Sequence, residues 1–358
     1  MNPFHYTAAD SLPSALAALQ AHPGAVPVAG GTNLLDLMKE TVSRPAALVD
    51  INRLDLAGIA PTPQGGLRLG ALARNAATAY HPLVRTHYPL LSSAILAGAS
   101  PQIRNMASNG GNLLQRTRCV YFYDTGTPCN KREPGAGCSA IGNLARQHAI
   151  LGASEHCIAV HPSDMCVALA ALEATVHVQG PAGARAIAFA DFHRLPGDRP
   201  EQDTILHREE IIEAIELPPP GGLAAHSVYL KLRERASYAF ALASVAAALE
   251  IHGDGRIGRA RIALGGVAHK PWRRPEAEEL LVGQRPEPAA FARAADLLLE
   301  GAVPQGTGLG HNAFKIPLAR RAILRALAQA ARGTVSNAPS PAPSPAPATA
   351  AASPGNLP

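Results

Sequence analysis

Apolar positions fall into short runs separated by glycine and proline, and the spacing changes from one run to the next. Residues 3–20 read as a short strand followed by a helix capped at Asp10 or Ser11. The run VPVAGGTNLLDLMKE, residues 26–40, reads as a strand, a Gly30-Gly31 turn and a helix, and AALVDINRL, residues 46–54, reads as a second strand. This β–turn–α–β order predicts an α/β layer. Further along come a strand at 66–70, helices at 75–81 and 90–97, strands at 157–162 and 174–180 flanking a helix at 164–172, and a strand from Ile211. Residues 218–222, three prolines and two glycines, punctuate like a linker. Beyond it the pattern predicts a strand at 227–235, a long apolar helix at 238–251, a hairpin turned at Asp254-Gly255, and helices at 276–282, 288–300 and 317–331. No internal repeat is present.

Two segments break this rhythm. Residues 117–145 carry three cysteines and little periodicity, and a loop of that length inside a compact domain usually has a function or a metal to hold it. From Ala338 to Pro358 the chain is a Pro/Ala/Ser tract that cannot offset its ordering entropy by burial, so a disordered tail is expected there.

Composition narrows the class. The chain has 358 residues, 47% hydrophobic and 16% charged, which fits two or three globular domains at roughly 100–200 residues each. No apolar run approaches the roughly 18–20 residues that span a bilayer. The N-terminus has no basic region ahead of its apolar stretch, so export would depend on a partner's signal. Net charge is only +5, which does not point to nucleic acid. Locally, however, Arg104, Arg116, Arg118, Lys131, Arg132 and Arg146 face only Asp124 and Glu133 between residues 100 and 150, which predicts an anionic group there.

The five cysteines, Cys119, Cys129, Cys138, Cys157 and Cys166, are separated by nine, eight, eighteen and eight residues. An odd count without a secretory signal argues against a disulfide framework, and the lack of a tight C-x2–4-C pair argues against structural zinc. An iron–sulfur cluster accepts looser spacings and suits the local cations, but the cysteines alone leave these choices open. Gly30-Gly31 between strand and helix exposes N–H groups that suit a pyrophosphate, although an ordinary βα turn looks the same. Around Gly110-Gly111 crowd Gln102, Arg104, Asn105, Ser108, Asn109 and Asn112, suited to the hydrogen-bonding edge of a planar heterocycle or to a polar capped turn. Asp164 reads as a helix N-cap, and Lys231, Arg233 and Arg235 as a solvated strand face. His148, His156 and His161 have no ligand spacing, and GTGLGHN, residues 306–312, reads as a turn.

Taken in order, PVAGGTNLL, QIRNMASNGGNL, PSDM, YLKLRERASYAFALASVAAAL and RIALGGVAHKPWR resemble the flavin-binding subunit of the xanthine dehydrogenase, or molybdenum hydroxylase, family, from Phe4 to about Ala331. The cysteine-bearing insert resembles the branch with a [4Fe–4S] cluster in this subunit, above all bacterial periplasmic aldehyde oxidoreductases. The resemblance implies a mixed α/β and α+β fold: a vanillyl-alcohol-oxidase-type (PCMH) FAD-binding domain at 1–221, with subdomains 1–55 and 56–221 and an iron–sulfur insert at 116–157. A smaller α/β domain of the CO dehydrogenase flavoprotein C-terminal type would follow at 222–333, and a tail at 334–358. It implies that Val26, Pro27, Val28, Ala29, Gly30, Gly31, Thr32, Asn33 and Leu34 wrap the FAD pyrophosphate. Ser100, Ile103, Asn105, Ser108, Gly110, Gly111 and Asn112 would line the flavin ring, with Ser108 where relatives often have threonine. Asp164 would bind ribityl or ribose hydroxyls and Lys231 would lie near the ring. Cys119, Cys129, Cys138 and Cys157 would hold the cluster, leaving Cys166 free.

The implied activity is oxidation of an aldehyde to a carboxylic acid at a molybdenum cofactor in a large partner subunit. Electrons would pass through two [2Fe–2S] clusters of a small subunit to this FAD and on to an external acceptor. No substrate-oxidising residue is expected in this chain. The alternatives are the flavin subunit of another molybdenum hydroxylase, such as 4-hydroxybenzoyl-CoA reductase, or an iron–sulfur scaffold without flavin. The expected compartment is the periplasm, reached through a partner's signal, with the cytoplasm as the alternative.

Overall fold

A computed structural model describes residues 1–334. At the N-terminus three short strands, β1 (His5–Ala8), β2 (Ala25–Val28) and β3 (Ala47–Asp50), form a parallel sheet with β3 in the centre. Parallel neighbours need crossovers, and two helices supply them. The first, Leu12–Ala21, starts at Ser11, whose hydroxyl accepts the Ser14 N–H while the Ser14 hydroxyl takes the Ser11 N–H, and buries Ala15 and Leu19 against the sheet. The second, Leu34–Lys39, follows the Gly30-Gly31 turn.

A five-stranded antiparallel sheet comes next, ordered β4 (Ile59–Pro61), β5 (Leu67–Gly70), β8 (Ile211–Leu217), β6 (Thr175–Gly180), β7 (Gly183–Ala188). In β6 exposure alternates residue by residue, the signature of a strand buried on one face. Between β5 and β6 run the helices Asn75–Tyr80, Pro82–His87, Pro89–Ala97, Pro101–Met106 and Asn109–Leu113, then the irregular insert, then Asp164–Ala171. The helix Asp164–Ala171 is buried along its whole length.

Residues 157–162 were expected to form a strand and do not. Their N–H groups bond in different directions: Ala159 toward the Cys157 sulfur at 3.5 Å and His161 to the Ala268 carbonyl at 3.0 Å, so no ladder forms.

The larger departure is at 238–251. This alanine-rich run is the strand β10 (Ala243–Ile251), central between β9 (Ser227–Leu232) and β11 (Ile257–Gly265) in an antiparallel sheet. Ala243, Val245, Ala247 and Leu249 enter one core, with the helix Lys315–Ala331; Ala246 and Ala248 enter the other, with Asp164–Ala171. Both faces are apolar, so the two-residue period is invisible in sequence, and small side chains let helices pack closely on each side. The hairpin turn is where expected, with Gly255 at φ +78° and the His252 N–H bonded to the Arg256 carbonyl at 2.9 Å.

The tail does not begin at Thr334, whose hydroxyl donates to the Ala224 carbonyl at 2.7 Å and accepts the Ser227 N–H. The rest of the expected tail lies outside the described residues. Among those described, no helix is long and apolar enough to cross a membrane.

Burial of β10 on both faces yields a test. Ala246 is fully enclosed, so Ala246→Leu should overpack the sheet and cost about 1–3 kcal/mol in urea unfolding. Unchanged stability would mean that one face is open.

Candidate flavin cleft and cysteine site

A cleft of about 700 Å³ opens where the three sheets meet, a size that suits a bound cofactor. One wall is the stretch Val26–Leu34, every residue of which lines it. Gly31 has φ +70°, and a side chain there would lie 2.8 Å from Leu35 Cδ1; a Cβ on Gly30 would lie 1.9 Å from the Met106 carbonyl oxygen. Gly30 therefore lets the turn pack against the end of the helix Pro101–Met106, and Gly31 supplies the left-handed bend. The carbonyls of the turn are engaged, Gly31 by Leu35 N–H, Asn33 by Leu37 N–H and Ala29 by Asn52 Nδ2, while its edge borders the cleft.

The opposite wall includes Ile103, Ser108, Gly110, Gly111 and Asn112. Ser108 caps the helix Asn109–Leu113 by accepting the Gly111 N–H at 3.2 Å. Two nominated residues are not in this wall: Ser100 caps the helix Pro101–Met106, and Asn105 is exposed on its outer side. The side-chain amides chiefly hold the wall together. Asn109 Oδ1 accepts Asn75 Nδ2 and Thr78 Oγ1, both at 3.1 Å, and Asn112 Nδ2 donates to Asn75 Oδ1 at 2.7 Å. Gly110 N–H donates to the Ala71 carbonyl at 2.8 Å, an approach a side chain would obstruct. The buried Arg104, which also borders the cleft, leaves its Nε without a partner while Nη1 holds the Gly98 carbonyl. That unpaired donor suits an electron-rich ligand.

At the floor Asp164 is not the helix cap. Ser163 is, accepting the Cys166 N–H at 3.0 Å. The Asp164 carboxylate instead accepts the Tyr229 hydroxyl at 2.6 Å and Lys231 Nζ at 2.7 Å. Burial, reinforced by this carboxylate, pushes the Tyr229 hydroxyl well up, so it stays a donor. The expected solvated face is also not found: Lys231 is 4% exposed, Arg233 donates to the Ala97 carbonyl, and only Arg235 is at the surface, over the Tyr238 ring. Alternation placed the three cations on one face; it could not show that Asp164 covers the first.

Beside the cleft the insert gathers four cysteines. Cys129 and Cys138 face one another across an antiparallel bridge, closed by Asn130 N–H to the Gly137 carbonyl at 2.6 Å and Ser139 N–H to the Pro128 carbonyl at 3.1 Å. Cys119 packs between the apolar groups on either side of this bridge. Cys119 lies close enough to Cys129 and Cys157, and Cys157 to Cys129 and Cys138, for their charges to interact. Burial pushes the Cys119 thiol up to about 12 and the Cys157 thiol up to about 11, so without a metal these two would stay protonated and unreactive. Metal coordination reverses this by displacing the protons. Lys131, 3% exposed, supplies a compensating cation beside Cys157.

Cys166 stands apart, fully buried on its helix. Its sulfur and ring nitrogens of His161 and His193 lie within 4.8 Å of one another, a cluster with no sequence signal because His193 comes from a distant loop. Burial lowers both histidines, His193 to about 4, so they stay neutral. Of the other unassigned histidines, His148 Nε2 lies 3.1 Å from Cys119 Sγ, whereas the His156 carbonyl accepts Asn130 Nδ2.

Two family models cover the chain: the FAD binding domain in molybdopterin dehydrogenase at residues 2–220, and the CO dehydrogenase flavoprotein C-terminal domain at residues 228–330. Across 92% of this chain and 99% of the relative, 48% of residues are identical to the aldehyde oxidoreductase FAD-binding subunit PaoB of Escherichia coli (strain K12). A glyceraldehyde dehydrogenase medium chain from Sulfolobus acidocaldarius is 30% identical over 79% of this chain and 82% of its own length. The solved reconstituted CO dehydrogenase from Oligotropha carboxidovorans superposes with a TM-score of 0.72 at 26% identity, covering 93% of this chain and 99% of that one. The chain belongs to the flavin-binding subunits of the xanthine dehydrogenase, or molybdenum hydroxylase, family of oxidoreductases. Within that family it is similar to aldehyde oxidoreductase FAD subunits.

The buried ion pair yields a prediction. Lys231→Met removes the cation and leaves Asp164 buried, which should cost about 3–5 kcal/mol and lower the melting temperature. An unchanged melting temperature would place Lys231 in solvent.

Proposed function

We propose that this chain is the FAD- and [4Fe–4S]-binding electron-transfer subunit of a heterotrimeric molybdenum aldehyde oxidoreductase. In this reading a large subunit holds the molybdenum cofactor and a small one two [2Fe–2S] clusters, and the electrons of aldehyde oxidation leave through this subunit to an external acceptor. The complex works in the periplasm, exported through a partner's signal. When bound, FAD supplies the redox chemistry; the chain binds, orients and tunes it. Val26–Leu34 border the dinucleotide phosphates, Ile103, Ser108, Gly110, Gly111 and Asn112 border the ring, and the Asp164–Lys231 pair forms the floor.

The observation that carries the reading is the convergence of Cys119, Cys129, Cys138 and Cys157 beside the cleft, with Arg116, Arg118, Lys131 and Arg132 reaching its wall from the same insert. Identity of 48% to an aldehyde oxidoreductase subunit supports the aldehyde reaction over a reductive relative. The glycine turn and the unpaired Arg104 nitrogen support a flavin-loaded subunit over a flavin-free scaffold. Anaerobic purification with the partners, followed by flavin, iron, sulfide and molybdenum analysis, tests the whole reading; iron and sulfide no greater than the small subunit's clusters require would refute the cluster.

Two substitutions separate the parts. Gly31→Val strains the left-handed turn by roughly 1–2 kcal/mol and should lower the flavin-to-protein ratio while circular dichroism stays native; full flavin occupancy would sink the assignment of this turn. Cys157→Ala should lose the intact cluster and Cys166→Ala should keep it, read as iron and sulfide per chain, and the reverse pattern would overturn the ligand set.

A further inference from the structure

We propose that His148 is a positioning residue for the cysteine site, its ring donating a hydrogen bond to the Cys119 sulfur and so raising the reduction potential of the cluster; this rests on the [4Fe–4S] reading above. His148 Nε2 is 3.1 Å from Cys119 Sγ, and the residue is 5% exposed. A cysteine that coordinates iron is a thiolate and can only accept, so the ring nitrogen facing it carries the proton. Charge drawn from a ligand sulfur by an N–H donor stabilises the reduced, more negative cluster and raises its potential.

Two features set this contact apart from incidental packing. Cys119 opens a turn whose Tyr121 and Phe122 backbone N–H groups favour its thiolate, and His148 is the side chain that meets its sulfur, whereas the Cys157 sulfur meets the Ala159 backbone N–H at 3.5 Å. His148 is also held in place from a distant part of the chain. Its carbonyl accepts Asn312 Nδ2 at 3.1 Å and Lys315 Nζ at 2.8 Å, and both of these side chains are completely buried. Asn312 Oδ1 accepts the Gln305 N–H at 2.6 Å, and Lys315 Nζ also donates to the Gly266 carbonyl at 2.5 Å. The GTGLGHN segment, read from sequence as a turn, thus ends in a clip between the C-terminal domain and the cysteine insert. Tyr121 packs near the imidazole, its ring tilted and its centroid 6.2 Å away. A side cavity of about 240 Å³ is walled by Cys119, His148, Val120, Leu144 and Phe240, so both partners of this contact border it.

The test is potentiometric titration of the anaerobically purified complex, with the reduced cluster followed by electron paramagnetic resonance in wild type, His148→Leu and His148→Gln. Leucine fills the space without a donor; glutamine keeps an N–H. His148→Leu should shift the cluster to lower potential and His148→Gln should stay near wild type, with flavin content unchanged in both. An unchanged potential in His148→Leu, or equal shifts in both variants, overturns the proposal. If His148→Leu retains no cluster, retention in His148→Gln supports the donor role and loss in both overturns it. A wild-type complex without this cluster signal overturns the [4Fe–4S] reading itself, and the role of His148 with it.

Discussion

Asp203 accepts Lys131 Nζ on one carboxylate oxygen and pairs electrostatically with Arg116 Nε through the other, both at 2.5 Å, with His269 Nε2 3.6 Å away. Burial alone would raise this carboxyl; Lys131 and then Arg116 hold it well below the usual carboxylate range. Through these contacts one side chain joins four parts of the molecule. The Arg116 N–H donates to Asn33 Oδ1 in the glycine turn, Lys131 lies between Cys129 and Cys138, Asp203 comes from the loop between β7 and β8, and His269 follows β11. Lys131 is buried and Asp203 and Arg116 only partly exposed, so the one carboxylate makes both cations tolerable here, and its removal strands them.

That constraint explains how a long stretch without regular structure is held still. The insert orders few residues by ladder or helix, yet its backbone is bonded repeatedly by side chains. Arg132 Nη1 holds the Tyr121 and Phe122 carbonyls, Asn130 bonds Gly137 and His156, and Asn312 and Lys315 hold His148 from the C-terminal domain. Such bonds replace those a helix would have provided and offset part of the ordering entropy. A cluster bound by cysteines from both arms of the 128–139 hairpin and from its flanks would fasten the segment further, which is why the cysteine site and the local cations belong to one design.

The elements that border the cleft were legible in sequence because their signals are local. A glycine pair between a strand and a helical period marks a turn wherever it occurs, and Ser11 marks a helix start through its own hydroxyl. What escaped depends on partners far along the chain. Residues 243–251 alternate between two cores, but with alanine on both faces and only Ser244 and Glu250 polar the alternation leaves little mark, and alanine's helix preference dominates the reading. Lys231 looks like any strand lysine until Asp164 and the Ala97 carbonyl close over it. His161 and His193 meet Cys166 only because the loop after β7 folds back, and Asp203 itself has no motif. Ser100 and Asn105 sit in an equally local motif but do not line the cleft, because a short helix makes one its cap and turns the other outward.

The most direct test of the central claim, that Asp203 holds the cleft wall and the cysteine insert together, is to purify the Asp203→Asn variant anaerobically with its partners and measure flavin, iron and melting temperature on one sample. The account predicts that the melting temperature falls, because Lys131 and Arg116 lose their counter-ion, and that flavin and the iron of the proposed insert cluster are lost in parallel. Full retention of both, with an unchanged melting temperature, would contradict it.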